Sequence, residues 1–430
     1  MNIVDRLLEN VPLPRMLRVR QVFPDDALPD LDRALTEGLQ APEIAARVKP
    51  GMRIAVGVGS RGLAELPRLV RGVIGGLRAM GAQPFIVPAM GSHGGATADG
   101  QRQLLASLGV TEASAGCEIR SSMDVVQVGT LDGGAAVMVD REAMQADGIV
   151  VINRVKPHTS FSGTHESGLV KMLTIGLGKQ AGADACHGAG FGRMAQNIVE
   201  MARVKIARAP ILFGVATVEN AYDRIARVAV LAAERIVDDE PLLLAEARAR
   251  MPRILFNPLD VLVVDRMGKE FSGTGMDPHI TGRASTPYVS VSQQVARMVV
   301  LDLSDASHGN ATGLGLADVC TRRLADKIDF APTYANHITS TVIGHAKVPM
   351  TMASDLRALQ VAVRTCSVPD VRQLRLVRVP DTLHLEHVRI SEGLLDEARR
   401  HPQIQILGDP EPWPLDADGQ LTDLVAPAHA

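Results

Sequence analysis

Short apolar runs alternate with segments of helical period along the first half of the chain. Arg53–Val58 (RIAVGV) is an apolar run of strand length. Leu66, Leu69, Val70, Val73, Ile74 and Leu77 then recur at helical spacing and Gly81 supplies a stop, which predicts a helix from near Pro67 to Met80. Pro84–Pro88 (PFIVP) is the next strand, followed by a glycine loop over 90–95 and a helix from about Thr97 to Leu108. Residues 124–139 predict a β-hairpin turning at Asp132-Gly133-Gly134. Gly148–Asn153 (GIVVIN) is another buried strand, and Ile211–Val218 a further one before a long helical pattern that ends near Arg250. Strand, helix, strand, glycine loop, helix is the rhythm of a parallel sheet covered by helices.

The pattern resets at Met251-Pro252 and Asn257-Pro258. Asp260–Asp265 (DVLVVD) opens a second α/β unit, with strands at Arg297–Leu303 and Leu374–Val379 and a helix at Ser391–Arg400. The predicted fold is α/β: two α/β domains with mainly parallel sheets and a cofactor or substrate cleft between them. Residues 1–255 form the N-terminal domain and 256–400 the C-terminal domain that closes the cleft. The tail, 401–430, is a candidate to return to the first domain. The first fifty residues, punctuated by Pro12, Pro14, Pro24 and Pro29, are expected to wrap on the first domain.

Composition acts mainly by exclusion. A formal charge of -3 over 430 residues gives no electrostatic footprint for nucleic acid, and one Trp and three Tyr leave little for base stacking. No apolar run approaches membrane-spanning length. The four cysteines form no CxxC pair and no leader pattern opens the chain, so reduced thiols in a cytoplasmic protein are expected.

Candidate chemistry is concentrated between Val155 and Gly190, a stretch with three histidines (His158, His165, His187), three lysines (Lys156, Lys171, Lys179) and many glycines. Lys171 lies inside an apolar run, where desolvation lowers an amine toward a reactive neutral form; the plainer alternative is a stem packed in the core with its ammonium in solvent. His93 sits on the glycine loop after one predicted strand and His158 directly follows another. Both belong at the carboxyl edge of a parallel sheet, where ligands bind and imidazoles transfer protons near neutral pH. Gly57-Val-Gly59-Ser-Arg61-Gly62 matches GxGxxG, but the next strand runs into Ala89-Met90-Gly91 without the carboxylate a dinucleotide ribose needs. A phosphate or carboxylate held there by Arg61 is the other reading. In the second half, Lys269 lies on a strand-end glycine loop with Arg283 soon after, either as a carboxylate-holding pair or as a solvated surface.

Taken together these elements resemble the nickel-dependent lactate racemase family, the enzymes of the nickel-pincer nucleotide. The likeness rests on order and spacing: Arg61 at a strand end, His93 on a glycine loop, Pro157-His158 after the next buried strand, Phe161-Ser162-Gly163, Lys171, and His187 sixteen residues later. The resemblance implies that Lys171 carries the cofactor covalently, that His187 ligates nickel and that His93 and His158 are the acid/base pair. Arg61, and Lys269 as the nearest candidate in the second domain, would hold the substrate carboxylate. The implied reaction is racemisation or epimerisation of a 2-hydroxy acid by reversible hydride transfer from its α-carbon. Thr164-His165-Glu166 looks like a local insertion between Pro-His and the tether lysine. Val58 stands where the lactate enzymes carry an acidic residue, which points to a divergent, non-lactate branch. Expected partners are the small 2-hydroxy acid and the enzymes that make the cofactor, without nucleic acid or membrane, and with a homodimer as the candidate assembly. The rival classes are an NAD(P)-dependent hydroxy-acid dehydrogenase, which needs the ribose carboxylate, and a non-catalytic small-molecule-binding protein, which needs neither tether nor paired histidines.

Overall fold

The computed structural model describes residues 3–60, 62–188 and 190–424, apart from the side chains of Phe191 and Thr339. The chain divides into two units: Pro24–Met251, and Met1–Phe23 together with Pro252–Ala430. It is mixed α/β with two large, mainly parallel sheets.

The strands in chain order are β1 (Met16–Gln21), β2 (Arg53–Val58), β3 (Gln83–Pro88), β4 (Val125–Thr130), β5 (Ala136–Asp140), β6 (Gly148–Arg154), β7 (Ile211–Glu219) and β8 (Ile225–Ala232). They continue as β9 (Leu259–Met267), β10 (Val295–Leu303), β11 (Val319–Thr321), β12 (Met350–Met352), β13 (Leu376–Val379), β14 (His387–Ser391) and β15 (Ile404–Ile406). In the unit Pro24–Met251 five of them form a sheet in the order β3-β2-β6-β7-β8, parallel except for the β7–β8 pair. Hairpin β4–β5 stands apart.

Each central strand is buried on both faces, which is why it reads as an unbroken apolar run. Ile54, Val56, Ile86, Val150 and Ile152 face a core completed by Leu69, Val73 and Leu77 of the Leu66–Ala79 helix. Ala55, Val87, Ile149 and Val151 face a second core with Leu169, Leu173 and Met201. β8 lies inside the region read as a long helical pattern. Its residues 225–232 are a half-buried edge strand, and the helix is confined to Ile236–Arg250.

The other unit carries an eight-stranded sheet, β12-β11-β10-β9-β13-β14-β1-β15. Strands β12 through β13 run parallel, and β14, β1 and β15 pair antiparallel. Both chain ends depart from the expected division. The first fifty residues divide: 24–50 pack on the first unit as expected, with Leu31, Leu35, Leu39 and Ile44 in its core, whereas 1–23 join this unit, where β1 lies between β14 and β15. The tail returns to this same unit. β15 pairs with β1, Glu411 pairs with Met16, and Trp413 Nε1 donates to the Pro14 carbonyl at 2.9 Å. Among the described residues no helix is long and apolar enough to cross a membrane.

Candidate functional site

Parallel β3, β2 and β6 are neighbours, so their carboxyl ends share one edge of the five-stranded sheet. Ser60 follows β2, His93 follows β3 and His158 follows β6, all at that edge. His93 is exposed on its glycine loop, and its Nδ1 meets the Ser60 hydroxyl. Gln101 holds the loop from behind, donating through Nε2 to the carbonyls of Gly91 at 2.9 Å and His93 at 3.2 Å. At Gly94 (φ +68°) a Cβ would lie 2.7 Å from the Gln101 backbone nitrogen, so only glycine fits this turn.

His158 sits on a loop closed at its base by paired backbone bonds between Lys156 and Ser167. Glu166, buried inside that loop, accepts from the backbone N–H of His158 at 2.5 Å and of Gly163 at 3.0 Å, and pairs with Arg248. The Ser160 N–H donates to His158 Nδ1 at 3.0 Å, which leaves the proton of the neutral ring on Nε2. His165 points the other way, its Nε2 meeting the Val237 carbonyl at 2.6 Å, and burial lowers its pKa from the ordinary histidine value. The apparent insertion Thr164-His165-Glu166 is therefore the anchor of the His158 loop.

Lys171 ends a short helical turn, Leu169–Lys171, which continues as a π-helical turn over Met172–Gly176 and leads to the Lys179–His187 helix. A π turn inside a helix widens the ladder and is frequently found at functional sites. Here the segment from Gly168 to Gly176 is braced at four points. Glu240 accepts from the N–H of Val170 at 3.0 Å and also from Leu169, capping the turn at its start. Asn153 Nδ2 donates to the Gly168 carbonyl at 2.7 Å. Lys205 Nζ donates to the carbonyls of Leu173 at 2.7 Å and Thr174 at 2.8 Å. Gly91 N–H bonds the Gly176 carbonyl at 3.1 Å, fastening the segment to the His93 loop.

Lys171 itself is half-buried, close enough to act electrostatically on both His187 and Cys186. His187, exposed at the end of its helix, is lowered from the ordinary histidine pKa, first by the protein around its ring and then by the Lys171 ammonium, with Asp184 opposing. Its imidazole is thus biased toward the neutral, metal-ligating form. Burial pushes the Cys186 thiol up to about 11, which keeps it protonated and a poor ligand.

Residues 10–197 match a family described as the lactate racemase N-terminal domain. This segment is lactate racemase-like in sequence. The matched segment contains His93, His158, Lys171 and His187. In fold, the chain is similar to the lactate racemase apoprotein from Thermoanaerobacterium thermosaccharolyticum, with 12% identity, 86% of this chain and 98% of that one covered, and a TM-score of 0.51. A protein from Thermotoga maritima aligns at 13% identity over 79% of this chain and 84% of its own, with a TM-score of 0.46. No curated protein matches the sequence.

Four of the residues singled out from sequence fall within one unit, two on strand-end loops and two on the braced helical segment. Arg61 lies outside the described residues. Lys269 belongs to the other unit, where its Nζ meets Asn336 Oδ1 and its backbone N–H donates to Ser307 Oγ at 3.0 Å. Sequence reasoning passed over Gln101, Lys205 and Glu240 and noted Lys179 without giving it a role; all four are fully buried beneath the site. Lys179 and Lys205 are more deeply buried than Lys171. The available signal for Lys205 was its place on the apolar face of the Met194–Arg208 helix, beside Met201 and Ala202.

Proposed function

We propose that this protein is an isomerase, a racemase or epimerase of a 2-hydroxy acid, that carries a nickel-pincer nucleotide on Lys171. The observation that carries the reading is the proximity of Lys171 and a neutral-biased His187 on one braced segment, fastened to the strand-end loop of His93. Among the described residues no group of three His, Cys, Asp or Glu side chains could hold a metal by itself. His187 would hold the nickel from the protein side, and the cofactor would supply the other ligands. When bound, that cofactor supplies reversible acceptance of hydride from the substrate α-carbon.

The remaining roles fall to the chain. With Nδ1 of His93 facing Ser60 and Nδ1 of His158 accepting from Ser160, proton exchange with the substrate hydroxyl falls to Nε2 of each ring. In this tautomer His158 carries its proton on Nε2 and can give it up there as the acid; to act as the base at Nε2 the ring must first hold its proton on Nδ1, which breaks the Ser160 bond. Arg61 is assigned to the substrate carboxylate.

The test is intact mass with metal analysis on protein expressed beside the cofactor-making enzymes and nickel. A nucleotide-sized adduct on Lys171 with stoichiometric nickel is expected; a 2-deuterated substrate should keep its deuterium on inversion, because hydride never exchanges with water. Unmodified, nickel-free protein from cells that yield active lactate racemase would overturn the assignment.

A further inference from the structure

Lys179 takes no part in the chemistry above, yet it is held at some expense. It is fully buried, its backbone lies in the left-handed region at φ +53°, and burial lowers its pKa from the ordinary lysine value. A bulky residue in that conformation persists only where its surroundings fix it. Its Nζ donates to the Pro88 carbonyl at 2.5 Å and to Gln101 Oε1 at 3.0 Å, and it forms an ion pair with Asp140 Oδ2 at 3.0 Å. Asp140 is equally buried, and its Oδ1 accepts from the Ala143 N–H at 2.9 Å.

The direction of these bonds matters. An ammonium only donates, so Gln101 must turn Oε1 toward Lys179, which aims its NH2 group at the carbonyls of Gly91 and His93. Pro88 is the last residue of β3, immediately before the loop. Lys179 thereby grips the loop at its entrance directly and at His93 through Gln101. Because Lys179 opens the helix that ends at His187, one residue ties the His93 loop to the segment bearing the tether and the nickel ligand.

We propose that Lys179 is a positioning residue: by orienting Gln101 it sets the place of His93 relative to the segment from Lys171 to His187. This rests on the reading of His93 as a proton-exchanging group. A plain structural ion pair would contribute to stability alone, and neutral residues of similar shape can often replace such a pair.

Two variants separate the possibilities. Lys179→Met with Asp140→Asn removes both charges together, so neither is left buried alone. Gln101→Glu leaves the lysine paired while removing the two donors to the loop. Leu105→Ala, on the same helix as Gln101 and fully buried, serves as the control that loosens packing without touching these bonds. Each protein is made with ¹⁵N-imidazole histidine, and the His93 signal, assigned by His93→Gln, is read without the cofactor. In the loaded enzymes, kcat is expected to fall about 10- to 100-fold in both variants, with KM, adduct and nickel unchanged. The His93 ring signal should move in both and stay in place in Leu105→Ala. An unmoved His93 signal in both variants would overturn the proposal, as would wild-type kcat in either one. Failure of the wild-type protein to invert any 2-hydroxy acid would instead count against the proposed function, and the His93 signal would still decide the positioning role.

Discussion

Glu240 and Lys205 are buried ionisable residues beneath the segment that bears Lys171. Burial pushes the Glu240 carboxyl up to about 7, against the lowering effect of the Val170 and Leu169 amides, and pulls the Lys205 amine down to about 7. Their linkages have opposite signs. Glu240 is raised in the folded state, so its contribution is fully present below the unfolded value of 4.5 and is lost as pH rises through about 7. Lys205 is depressed, so its contribution is present above the unfolded value of 10.5 and is lost as pH falls through about 7. Denaturation midpoints measured against pH for the wild type, Glu240→Gln and Lys205→Met resolve the two. The wild type should lose stability relative to Glu240→Gln as pH is raised toward 7, and gain relative to Lys205→Met above 7. Flat difference curves would mean that neither charge is carried into the folded core.

Among the elements, the loop from Lys156 to Ser167 depends most on one side chain. Glu166 satisfies two backbone donors and pairs with Arg248 while its own carboxylate is out of solvent. Glu166→Ala leaves those donors without their acceptor, a loss of about 1–3 kcal/mol, and releases the backbone of His158. Urea denaturation should show that destabilisation, and the loaded variant should lose inversion activity while intact mass still finds the adduct. Wild-type turnover in Glu166→Ala would show that the loop holds its shape without the carboxylate. The same loop marks where sequence reading stopped. β2, β3 and β6 were legible because strands buried on both faces are apolar throughout, and the two loop histidines were legible because they follow such strands directly. The roles of Glu166, Gln101 and Lys179 were not: Glu166 and Gln101 fold back on irregular loops of their own neighbourhood, Lys179 reaches Pro88 far off in sequence, and no local pattern distinguishes a buried polar brace from a surface residue. β8 escaped for a related reason, since a half-buried edge strand lacks the continuous apolar run of its neighbours.

For the whole molecule, the order of the strands makes the first residues indispensable to the unit that is otherwise built last. β1 lies inside the eight-stranded sheet, bonded on one side to β14 over Met16–Arg20 and on the other to β15 over Val19–Gln21. Without it β14 becomes an unprotected edge, β15 loses its sheet partner, and buried Leu17 and Val19 leave the core. The five-stranded sheet of the unit Pro24–Met251 does not include β1. That sheet is complete, with a core on each face supplied by the unit's own helices. Deletion of residues 1–23 should therefore unfold the C-terminal unit selectively. Hydrogen exchange followed by mass spectrometry on the truncated chain should find protection lost across β9–β14 and retained across β2, β3, β6 and β7. Equal loss in both units would mean that the two sheets fold as one cooperative body; protection retained in both would mean that β14 needs no partner at its edge.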